Sequence, residues 1–393
     1  LQEQGDLDEA LINHKRALEL DPKNSKAFYG IGRVQAAQGN LKDSKNSLLK
    51  SIELDESNTA ALFELSKNIE SIEDSNELAR KLDGVTRTGL IKQEESMLEF
   101  AAANFHHKSK NYTNATLHLS RANKLKLSYS PSNLSKRLVQ AKQIMEQAKQ
   151  IVAGKPSEGE GRIFIIGVPR CGSTLLESAL STDPNIRDLG ESKALSQAFE
   201  EFILKTRKKV TTPLLTEEYA EKVKDTFARH THTVDKNLYN FSLTEVIARA
   251  MPSARIIHCR RHPLDNILSM LRANLTAGNN YTSDPLDAAK FLIHQEDTMN
   301  KFKSTYEKHI YTFDYDAFTS NPQKTLHPLI NWLGLKWSER YLHPETNSRL
   351  INTASVIQAR QPITSKSVGG WKNYRELLKP AEEALAESGI FNL

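Results

Sequence analysis

The chain has 393 residues, of which 38% are hydrophobic and 26% charged, and its mean hydropathy is -0.53. A chain of this length is expected to form about two domains. Its net charge of +5 comes without a concentrated basic stripe, which favours anionic ligands and argues against a nucleic-acid partner. No apolar run approaches the roughly 18 residues of a membrane span, so we expect a protein that is not integral to a membrane.

The sequence contains two cysteines, Cys171 and Cys259. They provide no disulfide framework and indicate no zinc site, so we expect a reducing compartment, the cytoplasm, and no metal. The chain begins at Leu1, inside a repeat, and we expect the native N-terminus to precede it. The sequence therefore leaves open whether a signal peptide is present.

A period of 34 residues marks the first third of the chain. G-D-L at 5–7 recurs as G-N-L at 39–41, and L-D-P at 20–22 recurs as L-D-E at 54–56. This period resembles the tetratricopeptide repeat, in which paired helices bury their apolar faces against neighbouring pairs. A third half-repeat is expected at 60–66, an irregular insert at about 70–89, and a further helix pair at 97–127. Residues 1–128 are thus predicted to form an all-α solenoid.

The role of such a solenoid is left open by the sequence. Its surface typically binds a peptide or protein segment, whereas the alternative is that it only braces the next domain or a homodimer. A linking helix is predicted at 134–152, and the glycine-rich loop at 154–161 ends this part. We therefore divide the chain into a helical domain at 1–128, a link at 129–161 and a second domain at 162–393.

The second domain opens with I-F-I-I-G-V-P-R-C-G-S-T-L-L-E at 163–177, a pattern that predicts a strand, a loop and a helix. Such a loop gathers backbone N–H groups at the positive end of a helix dipole and suits an oxyanion. Gly167 and Gly172 have the spacing of a nucleotide-binding P-loop, yet Ser173 stands where the lysine would be. The cation that reaches a γ-phosphate is missing, and Arg170 offers another. An ordinary strand-to-helix turn is the structural alternative.

Charged residues follow three later segments. Glu191, after a short loop, is a candidate general base, and Lys236 ends a strand predicted at 231–235. The next predicted strand begins near Ala254 and ends in two arginines, Arg260 and Arg261. Ser269 lies eight residues after Arg261, about two helical turns into the next helix. An arginine and a hydroxyl so placed can hold one phosphate together. For each residue taken separately, a solvated or structural role stays open.

Taken in order, these segments resemble the sulfotransferases that use 3′-phosphoadenosine 5′-phosphosulfate (PAPS). Within them the chain is similar to the bacterial type with N-terminal tetratricopeptide repeats, which is related to tyrosylprotein sulfotransferases. The resemblance is carried by G-V-P-R-C-G-S-T-L-L-E (167–177), L-G-E-S (189–192), V-D-K-N (234–237), A-R-I-I-H-C-R-R-H-P-L-D-N-I-L-S (254–269), Y-D-A-F (315–318), W-L-G-L (332–335), T-A-S-V-I-Q-A-R-Q-P-I (353–363) and S-V-G-G-W (367–371).

The resemblance implies an α/β fold with a P-loop-like parallel sheet, PAPS as donor, adenosine 3′,5′-bisphosphate as product and no metal. Glu191 would be the base, and Lys236 and Ser355 would stabilise the charge that develops on the sulfuryl group. The residues implied to bind PAPS are Pro169, Arg170, Cys171, Gly172, Ser173, Thr174, Arg261, Ser269, Tyr315, Gln358, Arg360, Gln361, Thr364 and Lys366.

The sequence departs from the family at two of these places. Gly370 stands before Trp371, where many relatives have a basic residue, so Lys366 or Lys372 is a candidate replacement. Cys171 stands where the tyrosylprotein enzymes have a hydroxyl residue, but it can still present its backbone N–H.

The function predicted on this basis is transfer of a sulfuryl group from PAPS to a hydroxyl or phenol. Protein tyrosine is one candidate acceptor, and a glycan, a lipid or a small phenol are the others. Two alternatives stay open: a P-loop kinase or NTPase, and a non-catalytic repeat scaffold beside a degenerate transferase domain.

Overall fold

The computed structural model describes residues 7–68, 71–151, 153–207, 215–223, 230–275, 278–347 and 359–391. Between residues 7 and 148 the described secondary structure is all-α, as predicted. The helices before the sheet are α1 Leu7–Leu20, α2 Ser25–Gln38, α3 Leu41–Leu54, α4 Thr59–Lys67, α5 Ile72–Gly84, α6 Lys92–Lys108, α7 Tyr112–Tyr129 and α8 Leu134–Ala148. We call α1–α7 the helical domain and residues from 162 onward the sheet domain.

The repeat period reappears in the helix caps. Asn24 accepts a hydrogen bond from the Ala27 N–H at 2.9 Å, and Asn58, 34 residues later, accepts one from the Ala61 N–H at 3.1 Å. Each asparagine satisfies an N–H group that would otherwise lack a partner at the start of its helix. Gly39 ends α2 in the left-handed conformation, with φ of 90°. The same local signals therefore start α2 and α4.

The expectation of an irregular insert at 70–89 was wrong, because α5 occupies most of it. The Ser71 side chain accepts from the Asp74 N–H, and the Asp74 carboxylate accepts from the Ser71 N–H. This reciprocal capping starts a helix in a sequence whose apolar residues are few. Leu78 is fully buried and anchors the helix on its neighbours.

The sheet domain contains five parallel strands in the order β2-β3-β1-β4-β5. The order places β1 at the centre with β3 and β4 on either side, which confirms the predicted parallel α/β sheet. Ligands in such sheets bind beyond the carboxyl end of the strand at which the order reverses, here β1. The strands are β1 Arg162–Ile166, β2 Ile186–Gly190, β3 His232–Asp235, β4 Arg255–Arg260 and β5 Ile310–Asp314.

Helices cover both faces of the sheet, which explains why all five residues of β1 are buried. No helix within the described ranges is long and apolar enough to cross a membrane. These helices are α9 Ser173–Leu180, α10 Ala194–Arg207, α11 Leu215–Lys222, α12 Thr244–Ala250, α13 Pro263–Arg272, α14 Pro285–Thr305, α15 Tyr315–Ser320, α16 Pro322–Trp332 and α17 Arg375–Glu387.

The last helix pair, α6 and α7, shares its core with the sheet domain. Phe100 and Leu119, both 1% exposed, belong to the same cluster of buried side chains as Ile165 of β1. Leu7 and Val34 form a separate cluster at the other end of the helical domain. The C-terminal end of the helical domain therefore shares a hydrophobic core with the sheet, whereas its N-terminal end has a core of its own.

This difference predicts unequal effects of one substitution at two sites. Leu119→Ala should lower the unfolding midpoint of the sheet domain, because a buried Leu→Ala change costs about 2–5 kcal/mol. Leu7→Ala, at a residue equally buried at 1% exposure, should leave that midpoint unchanged. Tryptophan fluorescence is the measurement, because all three tryptophans, Trp332, Trp337 and Trp371, lie in the sheet domain. Equal shifts for both variants would contradict the prediction.

Candidate active site

The loop at 167–172 joins the carboxyl end of β1 to α9, and we call it the anion loop. Its backbone turns through left-handed conformations at Arg170, with φ of 70°, and Gly172, with φ of 95°. A Cβ atom at Gly172 would overlap the ring of Tyr315, which follows β5. Ser173 and Thr174 then begin α9 and are 4% and 5% exposed. The loop is thus a close-packed turn at the positive end of a helix.

Cys171 is buried inside this loop beside the other cysteine. The Cys259 thiol donates to the Cys171 carbonyl oxygen at 3.2 Å. Burial raises the pKa of Cys259 well above its usual value, so its thiol keeps the proton that this hydrogen bond uses. Cys171 is thus a small buried residue of the loop.

Two arginines meet beside the anion loop. Arg170 Nε donates to Ser269 Oγ at 3.0 Å, and Arg261 Nη1 donates to the Arg170 carbonyl oxygen at 3.4 Å. The Arg261 guanidinium also lies 5.0 Å from the centre of the Tyr315 ring. Burial and then the charge of Arg261 lower the pKa of Arg170 to about 10. Positive charge is therefore concentrated here, and a bound anion would relieve the repulsion.

A buried donor and acceptor remain unused at this point. Arg261 Nε and Asp316 Oδ1 lie 3.9 Å apart, and neither has a hydrogen-bond partner among the described residues. The other Asp316 oxygen accepts from the His262 N–H at 2.6 Å. Burial raises the pKa of Asp316, whereas the His262 N–H and the Arg261 charge lower it. An orphaned guanidinium nitrogen next to the loop fits a phosphate group.

Helix α13 holds the pieces of this anion site together. Asn266 Nδ2 donates to the Pro169 carbonyl oxygen at 2.7 Å. Asp265 accepts from the Gly369 N–H at 2.6 Å and from the Trp371 N–H at 2.8 Å. Sequence reasoning did not single out Asp265 or Asn266. The signal in the sequence was a pair of adjacent polar residues in a largely apolar helical segment. In the structure these two side chains are 2% and 1% exposed.

On the other side of the loop, two carboxylates share one ammonium group. Lys236 Nζ lies 2.8 Å from Glu191 Oε1 and 3.9 Å from Glu177 Oε2. The side chains of Lys236 and Glu177 are 0% and 1% exposed, whereas that of Glu191 is 57% exposed. Glu191 is thus the member of this cluster that is accessible from solvent. Glu177 was missed, although a glutamate in the apolar run L-L-E-S-A-L marked it.

The backbone on both sides of Glu191 is tied to the end of β3. The Lys236 N–H donates to the Gly190 carbonyl oxygen at 2.9 Å, and Asn237 Nδ2 donates to the Ser192 carbonyl oxygen at 2.8 Å. These bonds fix the position of an otherwise exposed carboxylate. The motifs L-G-E-S and V-D-K-N are therefore two halves of one structural unit.

Asp235, beside Lys236, is a buried carboxyl at 1% exposure. It accepts from the Tyr219 hydroxyl at 3.0 Å and from the Asn237 N–H at 3.2 Å. Burial nevertheless raises the pKa of Asp235 to about 7. The carboxyl is therefore expected to take up a proton near neutral pH, unlike an exposed aspartate.

This raised pKa predicts a pH dependence of stability. Between the unfolded pKa of about 3.9 and the folded pKa, the native state holds a proton that the unfolded chain lacks. The free energy of unfolding should therefore fall as pH rises through this window, by at most about 1.4 kcal/mol per pH unit from this group. Asp235→Asn should flatten the slope in urea titrations between these pH values. An unchanged slope would contradict the assignment.

The remaining candidates lie in the C-terminal part of the sheet domain. Ser355 and Gln358 are outside the described residues. Gln361 is half-buried, whereas Thr364 and Lys366 are exposed and bonded to each other at 3.3 Å. The neighbouring Ser367 carbonyl oxygen accepts from Arg261 Nη2 at 3.4 Å, so this segment borders the anion site.

Arg360 lies away from the anion loop. It donates to the Asn347 carbonyl oxygen at 2.5 Å and to the Ala37 carbonyl oxygen of α2 at 3.3 Å. Asn347 in turn donates to Ser178 and Ser181, at the end of α9 opposite to the loop. In this structure the Arg360 guanidinium therefore joins the sheet domain to the helical domain.

Two regions of the chain are similar to known protein families. Residues 162–339 match the model of the sulfotransferase family, and residues 1–39 match that of the TPR repeat. An uncharacterized protein of Aquifex aeolicus (strain VF5) is 27% identical over 261 residues, covering 60% of this chain and 33% of the relative. The chain thus spans about a third of the length of the curated relative it matches.

Solved sulfotransferase structures are also similar. The sulfotransferase domain from the Synechococcus PCC 7002 olefin synthase is 18% identical with a TM-score of 0.43, covering 62% of this chain and 100% of that one. A sulfotransferase from Mycobacterium tuberculosis H37Rv is 14% identical with a TM-score of 0.34, covering 81% of this chain and 99% of that one. At these TM-scores the assignment depends on the sequence match. Residues 162–339 are therefore similar in sequence to the sulfotransferase family, and residues 1–39 to the tetratricopeptide repeat.

Proposed function

We propose that this protein transfers a sulfuryl group from PAPS to a hydroxyl or phenol acceptor. The observation that carries the proposal is a site of two parts at the carboxyl ends of the parallel strands. One part is the arginine-rich anion loop, and the other is the pair formed by the exposed Glu191 and the buried Lys236. The anion loop would bind an anionic donor, and the Glu191–Lys236 pair would remove a proton from the acceptor.

The anion loop would hold the donor through charge and backbone groups. PAPS supplies an activated sulfuryl group on a 5′-phosphate and carries a second phosphate at its 3′ position. The loop at 169–174, with its N–H groups at the start of α9, suits the 5′ end. Arg261, with its unused Nε, and Ser269 suit the 3′-phosphate. Because the protein offers two adjacent anion-binding sites, it suits a nucleotide with phosphates at both the 5′ and 3′ positions better than one with a single phosphate chain.

Glu191 and Lys236 would handle the proton and the charge. As the acceptor oxygen bonds to sulfur, the bond from sulfur to the bridging phosphate oxygen breaks, and Glu191 takes the acceptor proton. The Lys236 ammonium, fully buried and held by two carboxylates, would stabilise the negative charge that develops on the transferring group. Ser355 is proposed to assist Lys236. No part of this scheme requires a metal.

The acceptor is proposed to approach from the exposed side of Glu191. A hydroxyl or phenol fits because its proton must be removed during transfer. Protein tyrosine is our first candidate, on the resemblance to tyrosylprotein sulfotransferases, and the repeats would then present the peptide. A glycan, a lipid or a small phenol are the other acceptors to be compared.

The test combines a binding and a transfer measurement. Calorimetry should show binding of adenosine 3′,5′-bisphosphate, and labelled PAPS should transfer its label to at least one member of a panel of peptide, glycan and phenol acceptors. Absence of nucleotide binding would overturn the proposal. Magnesium-dependent ATP hydrolysis that is lost on Arg170→Ala would instead favour the NTPase alternative.

A further inference from the structure

A row of polar residues on α13 connects the anion site to the helical domain. Asp265, Ser269 and Arg272 are spaced by four and three residues and therefore lie on one face of the helix. Ser269 accepts from Arg170 in the anion loop, and Asp265 holds the backbone at 369–371. Arg272 continues the row toward the repeats.

The Arg272 side chain reaches the last helix pair of the helical domain, at His107 of α6. Arg272 Nη1 lies 3.1 Å from His107 Nε2, and Arg272 Nη2 donates to Asn104 Oδ1 at 3.5 Å. His107 Nδ1 lies 2.7 Å from the hydroxyl oxygen of Tyr374. Tyr374 ends the short 3-10 helix Gly370–Tyr374. Asp265 holds the start of this helix through the N–H groups of Gly369 and Trp371. One imidazole therefore bridges α13 and the C-terminal segment.

The chemistry of these contacts determines the state of the imidazole. A guanidinium can only donate, so His107 Nε2 is the acceptor and Nδ1 carries the proton that is donated to Tyr374. Burial and then the charge of Arg272 lower the pKa of His107 to about 3, so the ring is neutral at physiological pH. Because both contacts of Arg272 are neutral, its positive charge is not cancelled by them. This charge also contributes to the lowered pKa of Arg170.

The helical domain supports α13 at its end as well. Asn123 Nδ2 of α7 donates to the Leu271 carbonyl oxygen at 3.1 Å, and the Lys126 ammonium donates to the Leu275 carbonyl oxygen. Lys126 is 3% exposed. The first bond satisfies a carbonyl group in the last turn of α13, and the second satisfies one in the loop that follows it. Helix α7 of the helical domain thus supports the C-terminal end of the helix that carries Ser269.

We propose that His107, a residue of the last helix pair of the helical domain, is a positioning residue of the nucleotide site. It would hold Arg272, Ser269 and the 367–371 segment in the positions that the 3′-phosphate requires. The inference rests on the proposed function, because it concerns the same anion site. It assigns to the last helix pair a part in donor recognition. A repeat that only braced the fold would stabilise the protein without influencing which nucleotide binds.

The experiment compares two nucleotides on the full chain. Adenosine 3′,5′-bisphosphate carries the 3′-phosphate, and adenosine 5′-monophosphate lacks it. His107→Leu should reduce the preference for the bisphosphate by about tenfold and leave monophosphate binding unchanged. His107→Gln, which keeps an acceptor for Arg272, should recover much of the preference. His106→Leu, at the neighbouring histidine that stacks on His118, is the matched control and should behave as wild type.

A second variant guards against misfolding. Tyr374→Phe removes only the hydroxyl that accepts from His107 and should reduce the same preference in a protein with the wild-type circular dichroism spectrum. Equal weakening of both nucleotides, or no change in either, would overturn the inference while leaving the proposed function intact. A wild-type chain that binds neither nucleotide would overturn the proposed function and this inference with it.

Discussion

Glu191→Gln is expected to lower the rate of sulfuryl transfer by about 10²–10⁴-fold, the usual contribution of a general base. Glutamine has the shape of glutamate and can still accept from Lys236, but it cannot take the proton of the acceptor. Binding of adenosine 3′,5′-bisphosphate should be unchanged, because the contact that places Glu191 is to Lys236 and not to the anion loop. Single-turnover kinetics with labelled PAPS, together with calorimetry, provide both readings.

Glu201→Gln is the matched control for this variant. Glu201 pairs with Lys222 at 2.5 Å and is 44% exposed, so it resembles Glu191 in partner and exposure. Its substitution should leave both the transfer rate and nucleotide binding at wild-type values. A Glu191→Gln enzyme that turned over at the wild-type rate would show that another group is the base. Loss of transfer in both variants would indicate a general effect of surface charge.

Gly172→Ala is expected to weaken binding of adenosine 3′,5′-bisphosphate by about 100-fold. This is the effect of losing about 3 kcal/mol, or one to two hydrogen bonds to a charged group. Two costs combine at this position. An alanine with φ of 95° is strained, and its Cβ would overlap the Tyr315 ring. The loop and Tyr315 must then separate, and both are candidate donor-binding groups. Calorimetry measures the loss.

Gly334→Ala separates the two costs. Gly334 has a left-handed φ of 73°, but a Cβ there would meet no atom within 4 Å. Backbone strain should cost each variant about 1 kcal/mol of stability, and Gly172→Ala should lose more because of its overlap with Tyr315. Only Gly172→Ala should lose nucleotide binding. Retained binding in Gly172→Ala would show that the loop tolerates displacement and would argue against its proposed role.

Local features of the fold were predictable because they depend on neighbouring residues. The 34-residue period located α2 and α3, and the run I-F-I-I with its glycine-rich turn located β1 and α9. Helix α5 was missed for a related reason, since its capping box was present but its apolar residues were sparse. A short-range signal was present in each case, but for α5 it was the capping box and not the apolar periodicity.

The candidate site was predictable only in part. Arg261 and Ser269 were paired through their spacing on one strand and helix, and the structure brings both next to Arg170. Glu177 was missed, because its significance depends on Lys236, which is 59 residues away in the sequence. Contacts of this kind arise when parallel strands bring their carboxyl ends together, and a single sequence does not contain their distances.

The sequence by itself determined the repeat period, the order of the strand-loop-helix units and the types of residue at the anion loop, because turns, caps and apolar patterns act over a few positions. Only the tertiary structure decided that His107 of the repeats meets Arg272 and Tyr374, and that Arg360 meets Ala37 of α2. These residues are separated by more than 160 positions, and their contacts exist because the repeats and the sheet pack against each other.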